Sequence, residues 1–389
     1  MKNQNRILLI DFTDFQNYPI GGYLTFAKNM MESFNNDLAL VGITTSVNDP
    51  VGRWFKKVIN GIEYDFFAMA KYYKMRTRNI LPDRFVNLLL TKYYKRKILR
   101  IGITNIFVQR QESLIAIAET GKNICYSFPG VENPLVIAKY SYASQFADWF
   151  ERHFFKKIEY VNTILVRGDD DSIKNIIIRS NGVLNNKKII KFPTRINTKL
   201  FRPMDKMAVR NQLQLTSGTV IMVTTGRLAW VKGWKFMIDS YEKFTRKVRE
   251  SLFIIVGDGE DFLRIKSYIS EKKLTDKIAL TGRKSREEIA LYLNASDVYL
   301  MGSFKEGWPT ALMEAVACGI PACVTEFSSA DDIILDGING YIIRERNEDQ
   351  FVTGMLRALQ LTRPVKNDHV TKYSTENLKN DILRYWKLI

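Results

Sequence analysis

The sequence predicts an α/β protein of two domains with parallel sheets, and three observations carry that reading. Apolar, β-branched runs end at glycine turns and lead into helical patterns at 219–226, 252–259 and 277–283. The 389 residues exceed the usual size of one core and fit two domains of about 150 to 200 residues each. The stretch 191–203, KFPTRINTKLFRP, has two prolines and no helical period, which marks a hinge. Boundaries of 1–192 and 193–372 follow, with 373–389 as a terminal segment.

In the first domain RILLI at 6–10 is an apolar opening strand. A polar loop over 11–22 ends in Gly21-Gly22 before a helical pattern over 23–34. Further strands are expected at 38–43, 104–108, 123–128 and 161–166, alternating with helices. The run Asp169-Asp170-Asp171 is consecutive rather than spaced as metal ligands are, and Gly168 before it indicates a helix cap. No metal site is expected. The two histidines, His153 and His369, stand at no strand end; His153, between Arg152 and Phe154, is read as a packing or surface residue.

In the second domain the strand at 219–225 turns at Gly226 into Arg227, with Lys232-Gly233 close behind. Two such cations either share one diphosphate or are solvated loop residues. The strand at 252–256 runs into Gly257-Asp258-Gly259, and that at 277–280 into Thr281-Gly282-Arg283. The segment 306–321, EGWPTALMEAVACGIP, is the most informative of the chain. Turn chemistry at its start and Gly319 before Pro321 at its end delimit a short helix over 310–318, so Glu306 precedes the helix and Glu314 lies inside it. The first-turn amides lack internal partners and, with the helix dipole, form a cradle for an anion. Carboxylates accept hydrogen bonds from hydroxyls, so a cradle flanked by two acids suits a nucleotide sugar. The tail over 374–389 is helical in pattern and holds Tyr385 and Trp386.

Composition bears on location. The three cysteines, Cys125, Cys318 and Cys323, form an odd set without metal-ligand spacing and read as small buried hydrophobes. No signal-peptide pattern opens the sequence, and no stretch of about 18 apolar residues is present. A cytoplasmic protein is expected, with any membrane contact peripheral, on the inner face of the cytoplasmic membrane. The net charge of +17 is concentrated: residues 53–100 hold thirteen Lys or Arg, three acids and ten aromatics, among them Trp54, Phe55, Phe66, Phe67, Tyr72, Tyr73, Tyr93 and Tyr94. Basic residues interleaved with rings suit an anionic membrane surface, the favoured reading; a solvated helix face and nucleic acid are the rivals. No nucleic-acid module is recognisable, and no nucleic-acid partner is expected.

Gly226-Arg227 with Lys232-Gly233, VGDGED at 256–261, LTGR at 280–283, EGWPTALMEAVACGIPACVT at 306–325 and DGINGYI at 336–342 together resemble, in order and spacing, the nucleotide-binding half of retaining glycosyltransferases of family four. The resemblance covers roughly 125 residues and is far more specific than any one piece. It implies a GT-B fold, two Rossmann-like α/β domains facing a cleft, with the acceptor on the first and the donor on the second. It further implies that Arg227 and Lys232 hold the donor diphosphate, Glu306 faces the transferred sugar and Glu314 binds the ribose hydroxyls. Gly226, Gly307, Trp308, Pro309, Thr310, Ala311 and Leu312 would border sugar and phosphate, and Arg283 would lie beside the base. The loop at Gly22 would approach the phosphates from the other domain, although an ordinary strand-to-helix turn explains it equally. The terminal helix would return to the first domain. One departure is that relatives usually carry a Glu in the segment before the DGxNG turn, where this chain has Ser328-Ser329-Ala330-Asp331-Asp332, with Asp332 as a shorter-reaching replacement; the turn itself reads as structural.

The segment 127–158 resembles, more weakly, sugar transferases of bacterial O-antigen and capsule assembly. The expected activity is therefore transfer of a hexose from a UDP or GDP sugar to a lipid-linked saccharide. No base is evident to activate an acceptor hydroxyl, which favours retention of configuration without a required metal, the departing phosphate taking the proton. A sugar-nucleotide epimerase of the same architecture and a catalytically silent membrane-binding protein are the alternatives.

Overall fold

A computed structural model of the chain describes residues 6–19, 22–72, 82–128, 145 and 147–389. The chain divides into two compact units, 1–194 with 377–389, and 195–376.

The first unit runs β1 (Ile7–Ile10), α1 (Gly22–Phe34), β2 (Leu38–Thr44), β3 (Trp54–Ile59), β4 (Ile62–Lys71), α2 (Asp83–Leu99), β5 (Asn105–Val108) and α3 (Gln111–Ile117). It continues through β6 (Asn123–Phe128), α4 (Ala147–Ile158), β7 (Thr163–Val166), α5 (Asp170–Arg179) and β8 (Ile189–Lys191). The strands form one sheet in the order β3-β4-β2-β1-β5-β6-β7-β8, parallel throughout except for the antiparallel β3–β4 pair. The strands read as unbroken apolar runs because both faces are covered. Leu8 and Ile10 join one core with Ile98, Leu114 and Phe154. Ile7 and Leu9 point the other way, into a core with Phe26 and Met30 of α1.

The second unit runs α6 (Lys206–Gln212), β9 (Val220–Thr225), α7 (Trp234–Thr245), β10 (Ser251–Val256), α8 (Phe262–Glu271), β11 (Ile278–Gly282), α9 (Arg286–Ala295) and β12 (Val298–Met301). Then come α10 (Thr310–Ala317), β13 (Ala322–Thr325), α11 (Ala330–Ile333), β14 (Gly340–Ile343), α12 (Glu348–Ala358) and α13 (Asp368–Lys372). Its sheet is parallel, in the order β11-β10-β9-β12-β13-β14. Val223 and Tyr299 pack with Leu293, Leu312 and Val316 on one face, and Met222 and Leu300 with Ile238, Ile265 and Phe351 on the other. The last helix, α14 (Leu378–Tyr385), belongs to the first unit. There Leu378, Ile382 and Trp386 enter the core on the α1 face, and the Trp386 indole donates to Asn123 Oδ1 at 2.9 Å.

Local details explain several motifs. Asp169 caps α5, its Oδ1 accepting from the Ser172 amide at 2.7 Å. The DGING turn is structural. Asp336 Oδ1 accepts from the Ile342 amide and Asn339 Oδ1 from the Leu335 amide, each at 2.8 Å. All three cysteines are free and buried, and burial pushes each thiol up. Among the described residues no helix is long and apolar enough to cross a membrane.

The basic, aromatic window needs correction. Its first part is the β3–β4 hairpin, turned by Asn60-Gly61 with both residues at positive φ, and Tyr64, Phe66 and Phe67 are core side chains. Lys56 pairs with Asp65 at 3.0 Å and Lys57 with Asp49 at 2.5 Å. Rings in the core cannot lodge in a lipid surface, so among the described residues the membrane reading contracts to α2. Phe85, Leu89 and Tyr93 are exposed there at helical spacing, with Lys92, Arg96 and Arg100 exposed alongside. Tyr73 lies outside the described residues.

Candidate functional site

From β9 the second unit's chain steps to β10 on one side and later returns to β12 on the other, so the topological switch point lies between β9 and β12. Parallel sheets leave a crevice beyond the carboxyl ends of their strands at that point. A pocket of about 300 Å³ is found there, lined by Thr225, Gly226, Arg227, Lys232, Ser303, Glu306, Trp308, Pro309, Thr310 and Ala311 among others.

Two glycines let the loops close around it. Gly257, at φ +153, approaches Gly226 so closely that a Cβ would lie 1.8 Å from the Gly226 carbonyl oxygen. Gly233, at φ +66, does the same against the carbonyl oxygen of Gly302, again at 1.8 Å. The turn that carries Lys232 is thereby pressed against the end of β12. Lys232 Nζ donates to Glu306 Oε1 at 2.7 Å, and Ser303 Oγ donates to the same oxygen at 2.6 Å. Thr325 Oγ1 and Arg346 in turn hold the Ser303 carbonyl, each at 2.8 Å.

Arg227 is differently placed. It forks onto Glu260, Nε to Oε2 at 3.0 Å and Nη2 to Oε1 at 2.7 Å, with both side chains largely exposed. Glu260 holds the Arg227 guanidinium above its usual value, and Arg227 holds the Glu260 carboxyl below its own. The two cations therefore line one pocket while each rests on its own carboxylate.

Helix α10 points its first turn at the same space. No side chain caps it, and the Met313 amide is the first to reach back, to the Pro309 carbonyl at 3.2 Å. The preceding amides are the orphan donors of a helix start. Glu314 lies one turn in, 12% exposed, with Arg286 Nη2 3.4 Å from its Oε1. Burial pushes the Glu314 carboxyl up to about 7, against the pull of Arg286. Arg286 opens α9, which Ser285 and Glu288 start with a capping box, and its guanidinium packs 5.2 Å from the Phe201 ring centroid. Sequence reading missed Arg286. The Ser285-to-Glu288 spacing is a capping-box signal that could have marked a helix start there, but nothing in the chain links Arg286 to a residue 28 positions away.

The remaining predicted residues are spread. Gly307 adjoins Glu306 but is outside the pocket lining, and the Leu312 side chain is fully buried in the core. Arg283 follows β11, beyond the lining. Gly22 opens α1 in the first unit, where a Cβ would meet nothing within 4 Å, and Gly21 lies outside the described residues. Residues 129–144 and 146 of the 127–158 motif lie outside them too. Asp332 falls within α11.

The first unit has its own switch point, between β1 and β5, and a buried polar cluster occupies it. Asp11, fully buried, accepts from Gln109 Nε2 at 2.6 Å and from Arg110 Nε. Gln109 Oε1 accepts from Arg167 at 3.0 Å, and Glu112 lies 3.5 Å from Arg84 and 3.9 Å from Arg110. Burial lowers the Arg167 guanidinium to about 10. Sequence reading missed this cluster as well. Its signal was a polar or charged residue directly after three apolar strands, Asp11, Gln109 and Arg167.

With this geometry in hand, residues 205–377 match the family model of glycosyl transferases group 1. The match covers nearly all of the second unit and none of the first unit's sheet. The chain is 26% identical over 207 residues to the UDP-Gal:alpha-D-GlcNAc-diphosphoundecaprenol alpha-1,3-galactosyltransferase of Escherichia coli, covering 52% of this chain and 51% of that one. The chain spans about half the length of the curated relatives it matches. Among solved structures it superposes on sucrose-phosphate synthase from Thermosynechococcus elongatus with a TM-score of 0.72 at 16% identity, covering 98% of both chains. HepE of Anabaena in complex with UDP gives 0.70 at 12% identity, over 99% of this chain and 100% of that one. The fold is accordingly GT-B, two α/β units each built on a parallel sheet.

Proposed function

We propose that this protein is a glycosyltransferase that moves a hexose from a nucleotide diphosphate sugar to a lipid-linked saccharide in bacterial surface-polysaccharide assembly, with retention of anomeric configuration. The observation that carries the proposal is the switch-point pocket of the second unit, where Arg227, Lys232 and the open first turn of α10 meet Glu306. UDP in one structural neighbour and a diphosphoundecaprenol-linked acceptor in the name of one relative support the donor and acceptor classes.

In this reading the diphosphate takes Arg227 and Lys232 together with the α10 amides, and Glu314 accepts from the ribose hydroxyls. As the anomeric C–O bond breaks, negative charge builds on the leaving phosphate, where those donors are fixed in advance. The phosphate oxygen takes the proton of the attacking acceptor hydroxyl, so no separate base is used. Arg227 and Lys232 supply the positive charge for this step, and no metal is needed. The first unit presents the acceptor, with the Asp11–Gln109–Arg110 cluster at its switch point as the contact region, and the exposed face of α2 meets the anionic inner surface of the membrane.

The test is thermal unfolding with UDP, GDP, ADP and their sugar conjugates. A ligand bound only by the folded state adds RT ln(1 + [L]/Kd), about 2.7 kcal/mol at a hundredfold excess over Kd. A shift with one base, lost in Glu314→Ala and Arg227→Ala, supports the reading; no shift with any nucleotide overturns it. Inversion at the anomeric carbon, read by NMR of the product, would overturn the retaining step, and loss of turnover in EDTA would overturn metal independence.

A further inference from the structure

Large aromatic side chains left in water need a reason when they sit in pairs. Trp230 is 64% exposed and Phe304 52% exposed, yet their ring centroids are 5.6 Å apart with planes inclined at 47°. The pair adds nothing to either core of the second unit.

Both rings are held in place. Trp230 opens the short 3-10 turn that ends at Lys232, and the Phe304 amide donates to the Val231 carbonyl at 2.8 Å, tying the two loops together. The Arg346 guanidinium packs 3.8 Å from the Phe304 ring centroid and is itself anchored on the carbonyls of Gly302 and Ser303. A surface fixed before its ligand arrives loses little freedom on binding. Its position is equally defined. Trp230 and Phe304 each stand two residues before a member of the Lys232–Glu306 pair, which lines the pocket. They follow β9 and β12, whereas Gly282 ends and Arg283 follows β11, two strands beyond β9 on the opposite side. Strands are about 4.8 Å apart, so roughly 10 Å of sheet separates β9 from the segment assigned to the base.

We propose that Trp230 and Phe304 form a stacking platform for a pyranose ring of the acceptor saccharide, beside the Lys232–Glu306 pair. The inference rests on the transferase reading and adds the residues that recognise its second substrate. A pyranose has C–H groups on its faces and hydroxyls at its rim. The faces suit the electron-rich faces of aromatic rings, and the rim suits the charged pair next to them.

The experiment uses the full chain with the nucleotide sugar that stabilises it and, as acceptor, a synthetic N-acetylglucosaminyl diphospholipid. Trp230→Ala and Phe304→Ala are expected to raise the acceptor KM at least tenfold while leaving UDP affinity and the unfolding midpoint unchanged. Trp230→Phe and Phe304→Tyr should restore most of the loss. An equal loss of UDP affinity would assign the rings to the base, and a loss of vesicle binding at unchanged acceptor KM would assign them to lipid; either overturns the proposal, as does no change at all. If the wild-type chain transfers nothing, the transferase reading fails, and the platform is judged by binding alone. Titration of the UDP-loaded protein with methyl glycosides of N-acetylglucosamine, galactose and glucose should then blue-shift tryptophan emission in the wild type and not in Trp230→Phe. Absence of a shift with all three glycosides overturns the proposal.

Discussion

Glu314 illustrates what one side chain imposes on this site. Its carboxyl is pushed up to about 7 in the free protein, and Tyr299, Cys318 and Arg286 are the ionisable groups around it, Arg286 alone being cationic. If Glu314 binds the donor ribose as proposed, only the ionised form accepts from two hydroxyls without donating, so nucleotide affinity should weaken as pH falls below about 7 and level off above it. Isothermal titration with the stabilising nucleotide between pH 5.5 and 8.5 checks this, and Glu314→Gln should abolish the slope. The folded-state value lies above the unfolded one, so the stabilising contribution is complete below the unfolded pKa and is lost as pH rises through about 7. The ligand-free unfolding midpoint should carry that loss, and Glu314→Gln should remove it too. Gly233 is a second residue-scale case. Any side chain there meets the Gly302 carbonyl and keeps an unfavourable positive φ, so Gly233→Ala should cost at least ~1–3 kcal/mol in denaturant unfolding. Gly233 and Glu314 were legible in the sequence because each belongs to a short contiguous motif. Arg286, Glu260 and Ser303 were not, because their importance lies in contacts that only the fold creates.

At the scale of elements, parallel strands were the easiest to read. ILLI at β1 and ACVT at β13 are buried at every position, and such runs show as unbroken apolar stretches. The β3–β4 hairpin escaped notice, although Asn60-Gly61 is among the strongest short hairpin signals. Lys56 and Lys57 drew the eye to charge, whereas the alternation of Tyr64, Phe66 and Ala68 into one core is the pattern of a strand. Helix α2 carries what is left of the proposed lipid contact. Leu89→Glu with Tyr93→Glu should abolish flotation with phosphatidylglycerol vesicles while leaving nucleotide affinity intact; unchanged flotation would make this face merely solvated. Helix α14 is a packing element. Trp386 is 3% exposed and lies against Phe107, so Trp386→Ala should destabilise the chain by about 3–5 kcal/mol, read from the unfolding midpoint.

For the whole molecule, the charge of +17 acts at a distance and a fold cannot be read from it. Exposed charges are screened beyond about 10 Å at 0.1 M salt, so association with anionic vesicles should fall steeply as salt rises, and a salt-insensitive association would point to apolar insertion instead. The α/β class was legible from repetition alone, strand, glycine turn and helix recurring along the chain. The two polar switch points were not, because strand order along a sheet is a property of the folded chain.

The first unit is built from two separated stretches, and its core on the α1 face includes Leu378, Ile382 and Trp386. The second unit, 195–376, is continuous and is complete in the emerging polypeptide before those residues exist. During synthesis the later half therefore has everything required to fold while the earlier half still waits for its last helix, which reverses the usual order in which domains mature from the ribosome.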